Sequence, residues 1–154
     1  MAKNGFLDIL QAKLEKNFTY DFEINWDKRN FAVEVFFLLE AANPDHIAIA
    51  DSNDVESDDN ILYEDAVIFY NPVKSKFDEA DYLTAISYPP QGLSAEFLDY
   101  FAKFLQETAD NGLDDLMDFL ASDEEIFSVK FDQKSFDDGR EKLEETDFHK
   151  YPRY

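Results

Sequence analysis

Thr19-Tyr-Asp-Phe-Glu-Ile-Asn-Trp26 alternates without a break: Tyr20, Phe22, Ile24 and Trp26 are separated by single polar residues. A period of two sends successive side chains to opposite faces, so this is a strand with one apolar face. Asp27-Lys28-Arg29-Asn30 reads as a turn, and Phe31-Ala-Val-Glu-Val-Phe-Phe-Leu-Leu-Glu-Ala-Ala42 as a longer second strand. Together they predict a β-hairpin, with Tyr20, Phe22 and Trp26 on one face of the first strand. The second strand is apolar on both faces around Phe36–Leu39, which predicts a central strand covered on each side there.

Outward from the hairpin, residues 5–17 place Phe6, Leu7, Leu10 and Leu14 at helical spacing, with Asn4 as the expected cap. After Asn43-Pro44-Asp45, strands are expected at Ile47–Ala50, Ile61–Tyr70 and Leu83–Tyr88, the last stopped by Pro89-Pro90. From Ser94 the period is helical again, through Phe97, Leu98, Phe101, Phe104 and Leu105. Asn111-Gly112 is a helix-ending signal. Leu113, Leu116, Met117 and Leu120 then mark a second, shorter helix. Phe127, Val129 and Phe131 alternate as a final strand, and Ser135–Thr146 is expected to close the chain as a helix. The order α-β-β-β-β-β-α-α-β-α predicts one α+β domain over residues 1–154. Its core would be a mainly antiparallel sheet of about five to six strands with helices packed against it.

Composition supports a packed core: 45% of the residues are hydrophobic and 16% aromatic. No apolar run reaches the ~20 residues that span a bilayer. The start, Met-Ala-Lys-Asn-Gly-Phe-Leu-Asp, has an acid almost at once and no secretory apolar region, so a cytoplasmic location is expected. With no cysteine, thiol catalysis and thiolate metal sites are excluded. The net charge of −21 is unevenly placed: residues 30–129 hold 23 acids against Lys74, Lys76 and Lys103, a net of −20. Such a field repels nucleic acid and anionic membranes, and it attracts basic proteins and cations.

Four segments carry a resemblance: Phe18-Thr-Tyr-Asp-Phe-Glu-Ile-Asn-Trp-Asp-Lys28, Glu64-Asp-Ala-Val-Ile-Phe-Tyr-Asn-Pro72, Gly112-Leu-Asp-Asp-Leu-Met-Asp-Phe-Leu120 and Tyr151-Pro-Arg-Tyr154. Over its whole length the chain resembles a family of uncharacterised small acidic proteins from Gram-positive Firmicutes. The resemblance implies a cytoplasmic bacterial protein with no assigned activity, and it supplies no catalytic residues.

Two groups of acids are candidate sites. Residues 51–60 hold five carboxylates and no Lys or Arg. Counted from Asp54, the first, third and fifth positions of a calcium loop are Asp54, Glu56 and Asp58, and the twelfth is Asp65. Glycine is missing at the sixth position, where Asp59 stands, and the twelfth is not the bidentate Glu such loops use. Asp54, Glu56, Asp58 and Asp65 are therefore weak candidates for a divalent cation, and a solvated loop is the expected reading. Asp114, Asp115 and Asp118 line the polar side of a helix. Carboxylates at i and i+4 lie about 6 Å apart, near the ~7 Å between successive phosphates on a DNA strand. They are candidates for binding a basic partner, against the plainer reading of a solvated helix face.

Catalysis finds little support. Only His46 and His149 exist, no Gly-x-Ser-x-Gly elbow is present, and the four glycines never cluster to cradle a phosphate. No catalytic residue and no cofactor is expected. The basic, aromatic ending Phe148–Tyr154 is expected to pack on its own chain. The composition points to a non-enzymatic interaction protein for a basic protein surface, with nucleic-acid mimicry as its narrower form. One rival is a divalent-cation-binding protein or metal-dependent hydrolase using residues 51–65. Another is a structural or regulatory subunit whose acidity serves solubility alone.

Overall fold

The hairpin is the frame of the fold. The structure, a computed structural model, describes residues 5–42, 60–120 and 129–152. Strand β1 (Asp21–Asp27) pairs antiparallel with β2 (Ala32–Ala42) in the register Phe22 to Phe37, Ile24 to Val35 and Trp26 to Val33. The turn between them is one tight helical turn, Lys28–Asn30, that ends on Phe31 at φ 53. β2 is central: its other edge pairs antiparallel with β3 (Asn60–Tyr70), setting Phe37 beside Asp65 and Leu39 beside Tyr63. β3 in turn pairs with β4 (Thr84–Ser87), but in parallel, so the sheet is mixed rather than purely antiparallel. Parallel pairing needs a crossover, and residues 71–83 supply it. The expected strand at Ile47–Ala50, the acidic loop through Asp59 and the Asn4 cap lie outside the described residues. Helix α1 (Phe6–Asn17) is capped at Gly5, without a side-chain hydrogen bond.

One face of the sheet carries the core. Val33, Val35, Phe37 and Leu39 of β2 and Val67 and Phe69 of β3 are buried there, and α1 and α2 (Ala95–Leu120) lie over them. Phe69 meets Phe101 of α2 edge-on, with ring centroids 5.0 Å apart. α1 is tied to α2 around Asp99, whose carboxylate accepts from Asn17 Nδ2 at 3.2 Å and lies 2.8 Å from Lys103 Nζ. Burial alone would raise this carboxyl, but the Lys103 and Asn17 bonds and the Lys13 charge outweigh it and hold it below the usual range.

Two expected helices are one. Gly112 does not end α2, because it is buried against the sheet: a Cβ there would lie 3.2 Å from Leu39 Cδ1 and 3.1 Å from Val129 Cγ2. Without a side chain, the helix passes close over β2 and continues to Leu120. The strand expected across residues 127–131 is absent from its described part. Val129 is buried and Phe131 packs on Phe104 and Phe136, each at 5.3 Å, without strand pairing. Helix α3 (Gln133–Glu141) starts on Asp132, whose carboxylate accepts from the Ser135 N–H, and stops before the expected Thr146. Beyond the helix, Glu96 Oε1 accepts from the Thr146 and Asp147 N–H groups.

The chain's last described stretch is stitched back into the fold. β5 (Leu93–Ser94) pairs antiparallel with β6 (Phe148–His149). Gly5 and Gly92, both at positive φ, face this tail so closely that a Cβ on either would collide with the carbonyl oxygens of Lys150 and His149 respectively. Tyr151 then stacks on Tyr88 at 5.0 Å and accepts a 2.8 Å hydrogen bond from the Trp26 indole. The aromatic ending thus packs on its own chain through Tyr151.

Candidate functional site

The sheet's second face has a different composition. By the strand alternation it presents Asp21, Glu23 and Asn25 from β1, Glu34, Phe36, Leu38 and Glu40 from β2, and Glu64, Ala66 and Ile68 from β3. Its two halves differ. At the Ile68 end the crossover returns over the sheet: Tyr70, Phe77 and Tyr82 form a chain of ring contacts at 4.9 and 5.7 Å. The Tyr82 hydroxyl donates to Glu34 Oε2 at 2.5 Å, and Asn25 Nδ2 donates to Glu34 Oε1 at 2.8 Å. Burial, then the Glu34 hydrogen bond and charge, raise the Tyr82 phenol well above its usual range. Ile68 is accordingly buried.

At the other end, Phe36 and Leu38 keep part of their surface in solvent. Phe36 stands opposite Glu23 and Ala66, and Leu38 stands between Asp21 and Glu64. Asp21, Glu23, Phe36, Leu38 and Glu64, together with Phe22 and Phe37 of the same strands, border a shallow depression of about 200 Å³. Sequence reading expected something to cover each side of Phe36–Leu39. The inner side, Phe37 and Leu39, is covered by helices, whereas Phe36 and Leu38 are only half-buried and framed by carboxylates.

Of the residues singled out in the sequence, those described do not come together. Asp54, Glu56 and Asp58 lie outside the described residues. Asp65 is on β3, on the inner face beside Phe37, away from the outer depression. Its carboxylate accepts from the Tyr63 hydroxyl at 3.1 Å and from the Ala66 N–H at 2.8 Å. Burial lifts this carboxyl above the usual range, and those two bonds only partly offset the effect. Among the described residues no group of three or more His, Asp or Glu side chains is arranged to hold a metal ion.

Asp114, Asp115 and Asp118 are exposed on α2, in the helical layer and so across the molecule from Glu23 and Glu64. Asp114 and Asp115 border an open hollow that also contains Lys130 and Asp132. One turn earlier, Asp110 accepts from the Tyr20 hydroxyl at 2.7 Å. Burial and that carboxylate, with a smaller contribution from Asp114, push the Tyr20 phenol up to about 12. His149 is half-buried with Nε2 3.2 Å from Asp147 Oδ1; His46 lies outside the described residues.

Sequence reading missed Asp21, Glu23 and Glu64 as site residues. Their signal was present in the polar positions of two alternating strands, which converge with Phe36 and Leu38 only once the register is known. Among the described residues no helix is long and apolar enough to cross a membrane.

Comparison with known proteins gives the family without an activity. No curated protein matches the sequence. A solved structure, the crystal structure of a conserved protein of unknown function from Enterococcus faecalis, is similar over 99% of this chain and 98% of its own, with TM-score 0.84 and 34% sequence identity. The family model described as Protein of unknown function (DUF3013) matches residues 1–153, and the chain belongs to that family.

Proposed function

We propose that this protein is a non-enzymatic interaction module of the cytoplasm that docks a basic protein surface on the outer face of its sheet. Phe36 and Leu38 carry the proposal: two partly exposed apolar side chains in direct register with Asp21, Glu23 and Glu64. A small apolar centre with a charged rim is the composition of a protein interface, the centre supplying burial and the rim steering and register. The net charge of −20 between residues 30 and 129 gives a field that draws cationic partners toward it and keeps nucleic acid away.

Nucleic-acid mimicry, the narrower form, would use Asp114, Asp115 and Asp118 instead. The plainest rival is acidity that serves solubility only, in a structural or regulatory subunit. The presence of acids on both layers of the molecule favours that rival over a one-sided mimic. A divalent-cation site using the acids of residues 51–65 would have Glu64 and Asp65 among the described residues, and as neighbours on β3 these point to opposite faces of the sheet.

The test is capture from a host lysate at 0.05 M and 0.5 M salt (roughly a threefold contraction of the Debye length). It uses the native chain, Glu23→Lys with Glu64→Lys, and Asp114→Lys with Asp115→Lys and Asp118→Lys. Salt-sensitive capture lost only in the sheet variant is the expected outcome. Loss confined to the helix variant would select mimicry, and no salt-sensitive capture at all would select solubility.

A further inference from the structure

A groove among the described residues carries the opposite charge. Between the hairpin turn, the start of the crossover and the C-terminal tail lies an open groove of about 760 Å³. Phe31 and Tyr151 line it, with Tyr88 buried beneath Tyr151. Among the described residues its charged side chains are Lys74 and Lys150, with no carboxylate in the lining. In a chain with 35 acids and 14 bases that composition is unexpected. Among the described residues neither lysine is in an ion pair. Lys74 instead holds its Nζ 4.8 Å from the Phe31 ring centroid. Beside it, Val73 is 87% exposed, the most exposed large apolar side chain described.

The walls are rigid and poor in donors. Four of the chain's five prolines, Pro72, Pro89, Pro90 and Pro152, line this groove. Proline contributes no N–H and has a fixed φ, so these walls cannot pair with an added strand and lose little freedom when a ligand binds. The floor is fixed too. Phe31 sits at φ 53, a backbone region uncommon for a bulky residue. Its carbonyl is held by the Tyr88 hydroxyl at 2.6 Å and the Ser75 hydroxyl at 3.2 Å. Strained backbone that several bonds hold in place is characteristic of preformed binding sites. The volume is that of a small-molecule site, within the ~300–1,000 Å³ such pockets span.

We infer that this groove binds a small aromatic anion, its flat body against the Phe31 and Tyr151 rings and its charged head between Lys74 and Lys150. Ring faces and proline walls supply apolar contact without hydrogen-bond donors, so the body must be apolar. Two ammonium groups without carboxylate partners, in a field that is negative elsewhere, select the head. A nucleic-acid strand carries the same charge chemistry but would meet the rest of the negative surface. The site does not depend on the outer-face proposal, and its variants leave that face intact.

The test uses the full chain and the fluorescent probe anilinonaphthalene sulfonate, a flat apolar body with one anionic group. One saturable site is expected. Lys74→Glu combined with Lys150→Glu should weaken it about tenfold or more, the loss of ~1.4 kcal/mol. Lys134→Glu with Lys142→Glu, which makes the same change in net charge on and just beyond α3, should leave affinity within about twofold, as for distant independent sites. Neutral phenylnaphthylamine should bind more weakly and ignore both pairs of substitutions. Circular dichroism melts establish that each variant is folded; if the glutamates prevent folding, Lys74→Gln with Lys150→Gln replaces them. Displacement by naphthoate before naphthyl phosphate would assign a carboxylate head, and the reverse order a phosphate head. Unsaturable binding, equal weakening in the two charge-reversed variants, or failure of both naphthyl acids to displace the probe would overturn the proposal.

Discussion

Strand β2 shows two environments on one backbone. Its inward residues Val33, Val35, Phe37 and Leu39 are no more than 1% exposed, whereas Glu34, Phe36 and Leu38 on the outer side are half-buried and Glu40 is exposed. Both sides contain apolar residues, yet among the described residues only one is filled by helices. The inner side is therefore where stability is set. On the outer side Phe36 and Leu38 stand where the helical core makes no demand on them. Phe37→Ala should cost about 3–5 kcal/mol, as truncation of a buried aromatic does. Phe36→Ala should cost less than about 2 kcal/mol, because less surface is returned to water. Urea midpoints of the two variants test the contrast, and equal losses would break it.

The inner layer is closed at one end by the tail, and Gly92 tests how much depends on that closure. At φ 86, with the His149 carbonyl against its missing Cβ, Gly92 has no room for alanine. Gly92→Ala should destabilise by about 1–3 kcal/mol from backbone strain. It should also release Tyr151 from the Trp26 indole, so the emission of the chain's one tryptophan should move toward that of a solvent-exposed indole. A stability loss without that spectral change would mean that the tail holds on by other contacts.

The legible parts of this fold are those whose signal is local. Tyr20, Phe22, Ile24 and Trp26 alternate strictly, and the antiparallel hairpin they imply is the one observed. The parts that were not legible depend on partners distant in the chain. Asn111-Gly112 carries a proper helix-ending signal, but Gly112 is spent on close approach to Leu39 and Val129, which local reading cannot see. The parallel pairing of β4 depends on how residues 71–83 cross the sheet, and Phe131 is placed by Phe104 and Phe136 rather than by a strand neighbour. The depression on the outer face is equally non-local. Asp21, Glu23, Phe36 and Glu64 come from three strands and acquire meaning only through register. The negative field, by contrast, could be read from composition alone.

Asp65 is the exception on the inner face, a carboxylate beside Phe37. Its folded pKa is raised by burial above its ordinary value of 3.8, so the folded state binds the proton more tightly than the unfolded chain. Stability from this group is therefore fully present below the unfolded value and declines as pH rises through the folded one. Asp65→Asn removes the ionising group while keeping an acceptor for Tyr63 or Ala66. The difference in melting temperature between variant and native chain should grow in favour of the variant as pH rises from below 3.8 to 7. A difference that is flat across this range would mean that the charged form is well accommodated, and the inner face would then be less apolar in effect than its burial implies.

The smallest effect concerns salt, and it separates the two faces most cleanly. With −20 charges between residues 30 and 129, the folded chain repels itself at low ionic strength. Raising salt from 0.01 to 0.1 M shortens the Debye length from ~30 Å to ~10 Å, which relieves repulsion between exposed acids. The melting temperature should rise by about 2–4 °C, the shift that ~1 kcal/mol produces in a chain of this size. The cost of Phe37→Ala should be the same at both salt concentrations, because burial of an aromatic ring is not screened. Glu23→Lys with Glu64→Lys should reduce the salt slope, since the outer face then contributes less repulsion. A native melting temperature that is flat or falls over this range would show that the acids are already balanced in the folded chain. The negative field would then have no free energy to offer a basic partner, and the outer face would lose its electrostatic rationale while the inner face kept its own.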